Sequence, residues 1–330
     1  MVDLTTSYMG LKLRNPIIVA ASDLTNSSAG IIHCYEAGAG VVVMKSLFEE
    51  QFWVSGVLSE KGYPIYPEAL DYLRSGGLLE YTPQKICRII EEAKKDIKIP
   101  LIASIDCQSP KLWPSFAWQF QEAGADGLEL NIYFLPFDLT TPGSEYEKIY
   151  FQIFEEVKKA VSIPISVKFG SQLTSIPYMA HKLAESGCKG LVFFNWFLEP
   201  EIDIEHLRTK NLMGRGNFYQ SLRWVALLAG RVGCDIASSG GVRRSEDVIK
   251  QILAGASACQ VCTLFYQEGL RSLRGLLSGL EAWMDGHFYS SINDFRGELS
   301  FKSQKLSFKE PEMAEAYFRA QYIKVYSKKD

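Results

Sequence analysis

The chain has 330 residues, 47% of them apolar and 22% charged, with a formal net charge of −3. So much apolar material excludes a disordered chain, and the near-neutral charge leaves no electrostatic footprint for nucleic acid. By length alone, two domains of about 150 residues or one α/β barrel of about 250 residues with insertions both fit.

The longest apolar runs, such as Ile17 to Ala21, fall far short of the ~20 residues that span a bilayer. Met1 to Ser7 lacks a basic stretch followed by an apolar core, and the seven cysteines are scattered. The expectation is a cytoplasmic protein in a reducing compartment, without a membrane or nucleic-acid partner, acting on a small molecule.

In chain order, Leu4 to Leu13 with Gly10 at its centre reads as a small hairpin. Eight short apolar strands follow, at 17–21, 41–45, 101–105, 127–131, 164–168, 191–195, 235–239 and 259–263. Four of them are entered through the same phrase: Glu36-Ala37-Gly38-Ala39-Gly40, Glu122-Ala123-Gly124-Ala125-Asp126-Gly127, Glu185-Ser186-Gly187-Cys188-Lys189-Gly190 and Leu253-Ala254-Gly255-Ala256-Ser257-Ala258. Each is a helix stopped by a glycine in the left-handed region, turning at once into a buried strand. Amphipathic stretches fill the gaps, among them Pro83 to Asp96, Ser144 to Val161, Tyr219 to Val232 and Ser245 to Leu253. Repeated βα units imply a parallel sheet, and eight of them imply a TIM (β/α)8 barrel. A doubly wound sheet is the alternative, but no Gly-x-Gly-x-x-Gly follows any strand.

The whole chain, 1–330, then reads as one barrel unit. It has a hairpin at 1–15, an excursion at 46–82 over the barrel mouth and an extension at 286–330, with a helix over Pro311 to Tyr326.

Barrel chemistry sits at the C-terminal strand ends. Here those ends carry Ser22, Lys45, Asp106-Cys107, Asn131, Lys168, Asn195, Gly240-Gly241 and Thr263. Ammonium and amide groups on apolar strands call for a polar ligand, unless each lysine merely extends to solvent. Ser239-Gly240-Gly241-Val242 before a helix, joined by Thr263, offers backbone amides to a phosphate, although two glycines can equally serve an ordinary turn. Cys259-x-x-Cys262 lies on a strand, where such residues point to opposite faces, and the four histidines fall off the strand ends. No metal site is expected.

These pieces together resemble the dihydroorotate dehydrogenase family of FMN-dependent barrels in pyrimidine synthesis. The carrying residues are Asn15-Pro16-Ile17-Ile18-Val19-Ala20-Ala21-Ser22, Lys45-Ser46, Glu129-Leu130-Asn131, Val167-Lys168, Phe194-Asn195, Ser239-Gly240-Gly241-Val242 and Thr263. The resemblance implies flavin contacts from Ala21, Ser22, Lys45, Ser46, Asn131, Lys168, Gly240, Gly241 and Thr263. It also implies substrate contacts from Lys45, Asn131 and Asn195, and a homodimer. Lys168 would stabilise negative charge near the flavin N1 and O2. In this family a base takes the C5 proton of the dihydropyrimidine while hydride passes from C6 to flavin N5.

The family's Cys or Ser base and second asparagine after Asn131 are replaced here by Ile132-Tyr133-Phe134-Leu135-Pro136-Phe137-Asp138, and Cys262 stands where a glycine usually precedes Thr263. Tyr133 and Cys107 are the substitute bases open to this chain. Their competing readings are a packing aromatic and an inert buried thiol. The expected function is FMN-dependent oxidation of dihydroorotate or a related cyclic amide. Oxidation of a different substrate, and a non-catalytic flavin- or phosphate-binding barrel, are the alternatives.

Overall fold

The computed structural model describes residues 2–49, 81–107, 113–136, 138–196, 199–212 and 218–303. Most of the expected 46–82 excursion, and the expected helix within 286–330, lie outside the described residues.

Eight parallel strands close on themselves. In order around the ring they are β3 (Ile17–Val19), β4 (Val41–Val43), β6 (Leu101–Cys107), β7 (Gly127–Ile132), β8 (Ile165–Phe169), β9 (Gly190–Phe193), β12 (Asp235–Ser239) and β13 (Ala258–Val261). Pairing of β13 with β3 (Cys259 opposite Ile17) and of β4 with β6 (Val42 opposite Leu101) closes the ring. A two-residue strand, β5 (Leu47–Phe48), runs beside the far end of β6. The molecule is a (β/α)8 barrel, as the repeated joints imply.

Each joint is built as the sequence suggests. Gly38, Gly124, Gly187 and Gly255 all have φ between 99° and 113°, and the Gly38 and Gly255 amides bond back to the last helical carbonyls. The helices that cover the ring start from local signals too. In α2 (Pro83–Asp96) the Thr82 side chain accepts from the Lys85 amide, and proline opens the first turn. Ile86, Ile89, Ile90 and Ala93 then form its buried stripe. Among the described residues the other α-helices are α1 (Ser28–Ala37), α3 (Trp113–Glu122), α4 (Gly143–Ala160), α5 (Ile176–Glu185), α6 (Phe218–Leu228), α7 (Ser245–Ala254), α8 (Thr263–Glu268), α9 (Ser272–Gly286) and α10 (Ile292–Phe295).

Among the described residues, two hairpins decorate the barrel. One, β10 (Glu199–Asp203) with β11 (Arg208–Leu212), follows β9 and was not anticipated from sequence. The other, β1 (Thr6–Tyr8) with β2 (Leu11–Leu13), plugs the N-terminal end of the barrel. Tyr8, Met9 and Leu13 pack with Ile18, Val41, Val43, Ile102, Val192, Ala237 and Ala258 inside the ring. The Met9 amide donates to Asp235 Oδ2 at 2.8 Å, anchoring the hairpin to the start of β12. One end of the barrel is thereby filled with apolar side chains, and ligand access is confined to the other.

The glycine that opens β9 owes its identity to this plug. A Cβ on Gly190 would lie 2.7 Å from the Tyr8 hydroxyl and 2.8 Å from Met9 Cγ. Gly190→Ala is expected to lower the unfolding free energy by about 1–3 kcal/mol, read as a lower urea midpoint. Gly233→Ala, whose added carbon meets nothing within 4 Å, leaves the midpoint near the parent value. Equal midpoints for the two variants would contradict a tightly seated plug.

Candidate active site

Above the apolar plug the barrel interior turns polar. Glu129 on β7 and Gln260 on β13 stand on opposite walls of the ring, yet Gln260 Nε2 donates to Glu129 Oε2 across the axis. Lys168 on β8 completes the chain by donating from Nζ to Gln260 Oε1 at 3.0 Å. All three are nearly sealed from solvent, with Glu129 1%, Gln260 2% and Lys168 8% exposed. Burial pushes the Glu129 carboxyl above its ordinary value of 4.5, while Lys168 and the Gln260 hydrogen bond pull it back. Tyr8 of the plug lies beneath, its hydroxyl driven well above the usual tyrosine range by burial and by the Glu129 charge.

A second polar layer forms the rim. Asn131 Nδ2 donates to Asp106 Oδ2 at 2.8 Å, and the two residues sit opposite each other in the β6–β7 register. Ser46 Oγ and Ser104 Oγ are 2.8 Å apart in a buried pair. Lys45, only 14% exposed in its side chain, pairs with the open carboxylate of Asp23. Asn195 Oδ1 accepts from the Trp196 amide at 3.0 Å. Cys262 lies near enough to Lys168 for that cation to offset part of the upward push of burial on its thiol, and near Ser22. Ala21 and Ser22 complete the rim at the end of β3, half-buried.

Three buried oxygens in these layers, Glu129 Oε1, Asn131 Oδ1 and Ser22 Oγ, lack a hydrogen-bond partner among the described residues. Buried polar atoms are costly unless paired, so the mouth is shaped for a polar ligand.

The loop after β12 supplies a third feature. Gly240 and Gly241 have φ of +99° and +77°, and their amides and that of Val242 donate to no backbone oxygen among the described residues. Thr263 opens α8 directly after β13, so its amide lies in the first turn, where helix amides have no carbonyl partner. This is a cradle of donors suited to a phosphate. The indole of Trp196 lies across it: a Cβ on Gly240 would be 2.2 Å from Trp196 Nε1, which points to the Ser239 carbonyl at 3.4 Å. The sequence places Asp106 at a strand end without assigning it a role, and it singles out neither Trp196 nor Gln260; the Gly-Gly step is the visible signal for Trp196.

The two substitute bases have different surroundings. Tyr133 is 9% exposed and lies against Gly170, where a Cβ would be 2.2 Å from its ring, and its hydroxyl accepts from Gln172 Nε2 at 3.3 Å. Cys107 closes β6 opposite Ile132, and its side chain lies outside the described residues. Cys259 is buried, its thiol pushed up to about 12. Among the described residues no three His, Cys, Asp or Glu side chains gather as metal ligands, and no helix is long and apolar enough to cross a membrane.

Comparison with known proteins decides the family. The family model described as dihydroorotate dehydrogenase matches residues 73–284, more than half of the chain. The chain belongs to the dihydroorotate dehydrogenase family. It is similar to the dihydroorotate dehydrogenase B (NAD(+)) catalytic subunit of Thermoplasma acidophilum, at 29% identity over 90% of this chain and 99% of that one. The same-named subunits of Methanothermobacter thermautotrophicus (29%, 89% and 97%) and Pyrococcus abyssi (26%, 89% and 98%) match at comparable length. Membership makes the protein an oxidoreductase of the CH–CH class, working with a flavin on a small molecule in pyrimidine biosynthesis. The polar layers of the mouth and the amide cradle fit such a cofactor.

Because the folded chain binds the Glu129 proton more tightly than the unfolded one, this group's contribution to stability is complete below pH 4.5. It declines as pH rises from 4.5 through the higher folded value. Glu129→Gln, which can still accept from Gln260, is expected to gain stability relative to the parent as pH climbs through that window. Urea unfolding across a pH series measures the difference, and parallel profiles for the two proteins would contradict a burial-raised carboxyl.

Proposed function

We propose that the protein is an FMN-dependent oxidoreductase that oxidises dihydroorotate or a closely related dihydropyrimidine. The observation that carries this reading is the coincidence, at the C-terminal end of the barrel, of the buried Lys168–Gln260–Glu129 chain with the amides of Gly240, Gly241 and Val242, which donate to no backbone oxygen among the described residues. The amides, with Thr263, would hold the FMN phosphate. Ala21, Ser22, Lys45, Ser46, Asn131 and Lys168 would hold the ring system. FMN, when bound, supplies the two-electron acceptor for the hydride.

The chain's own residues do the rest. The Lys168 ammonium, fixed by Gln260, places a positive charge where negative charge accumulates during reduction. Asn131, Asn195 and Lys45 orient the substrate ring. A proton leaving the substrate carbon needs an acceptor over the mouth, and Tyr133 and Cys107 are the residues proposed for it. The Tyr133 hydroxyl already accepts a hydrogen bond from Gln172 Nε2, which engages one of its lone pairs. That contact favours a second reading, in which the same flavin chemistry serves a different ring substrate.

We also propose that residues 1–330 work as one flavin-binding unit, with the hairpin at 1–15, the excursion at 46–82 and the extension at 286–330 attached to the barrel. The same reading has the protein acting as a homodimer in the cytoplasm, with no nucleic-acid partner. The net charge of −3 and the family resemblance support it.

The purified protein is expected to be yellow and to bleach when dihydroorotate is added without oxygen. Lys168→Ala should slow that bleaching by on the order of 10²-fold. A protein that cannot be loaded with FMN sinks the cofactor assignment. A yellow protein bleached by another donor, and not by dihydroorotate, establishes the second reading.

A further inference from the structure

The Asp106–Asn131 pair does more than fill the rim. A carboxylate only accepts hydrogen bonds, so the 2.8 Å contact with Asp106 Oδ2 must come from the Asn131 nitrogen. A hydroxyl or an amide at position 106 could accept from, or donate to, either end of the Asn131 carboxamide. Asp106 admits one orientation only. Its own freedom is small, because it is 9% exposed and stands directly opposite Asn131 in the strand register. The other end of the carboxamide, Asn131 Oδ1, is then left buried without a partner among the described residues, in a side chain that is itself 9% exposed.

We propose that Asp106 is a positioning residue that locks the Asn131 carboxamide with Oδ1 turned to the mouth, as the acceptor for a ring N–H of a cyclic amide. The inference rests on the reading of the mouth as a flavin and substrate site. Both ligands carry such an N–H, and the pair selects a ring donor over a ring acceptor at this point. The charge-assisted Nδ2–carboxylate bond holds the amide before the ligand arrives, so little ordering is left for binding to accomplish. Position 106 thus acts on ligand affinity through Asn131, without touching the ligand.

Three measurements on the full chain test this. In the flavin-free protein, the Asn131 side-chain amide signal, identified by its loss in Asn131→Ala, should move in Asp106→Asn and Asp106→Ala while the rest of the amide spectrum stays in place. Asp106→Asn should raise either the FMN dissociation constant or the KM for dihydroorotate roughly tenfold, with kcat nearly unchanged. A change in the FMN constant places the donor on the flavin; a change in KM alone places it on the substrate. In the Asn131→Ala background, Asp106→Asn should add nothing further. An unmoved Asn131 signal, or penalties that simply multiply in the double variant, would overturn the lock. Failure of dihydroorotate to bleach the parent refutes the substrate reading alone, because the amide signal and the FMN titration still judge Asp106.

Discussion

A closed parallel barrel has an interior that must be filled, and here one hydrogen-bonded chain decides how. Glu129 and Gln260 reach each other from opposite walls, and Lys168 is drawn in behind them. A lone ammonium or carboxylate at that depth would be prohibitively costly. As a connected set the residues can be buried, because each charge meets a dipole or a counter-charge. The chain forms a floor. Below it lies a largely apolar layer sealed by the N-terminal hairpin, and above it stand the groups that await a ligand.

That division explains why the positions of these strand-end side chains are legible in the sequence. The alternation of a strand sends every second side chain inward, so a lysine or asparagine near a C-terminal strand end had to arrive at the mouth. Lys168 and Asn131 do so, facing each other in the β7–β8 register, and the Gly124 joint leads directly into the strand that carries Asn131. Strand eight proved shorter than read. Thr263 belongs to the first turn of a helix, which exposes its amide where a strand residue would have paired it.

Other features were illegible for physical reasons. The β10–β11 hairpin turns without a glycine at its left-handed position, which Leu207 fills at φ 47°, so the usual turn signal is absent. Asp106 and Asn131 are 25 residues apart, and only the parallel pairing of their strands makes them partners. Gln260 looked like one more polar residue in a buried strand, because its role depends on a glutamate from the far wall. Trp196 becomes meaningful only when its indole is seen lying on Gly240. Periodicity reveals which way a side chain points, and carries nothing about what meets it there.

The plug also dictates an order of events during synthesis. Met9 is anchored by Asp235, which follows it by 226 residues, and the ring itself closes only when Cys259 meets Ile17. At ribosomal speeds of 5–20 residues per second, the first hairpin emerges roughly 10–45 s before its anchor exists. Throughout that interval Tyr8, Met9 and Leu13 have no barrel to enter. The nascent chain thus carries a sticky apolar hairpin throughout that wait. The same contacts that seat the hairpin in the finished barrel leave the growing one dependent on whatever shields those side chains.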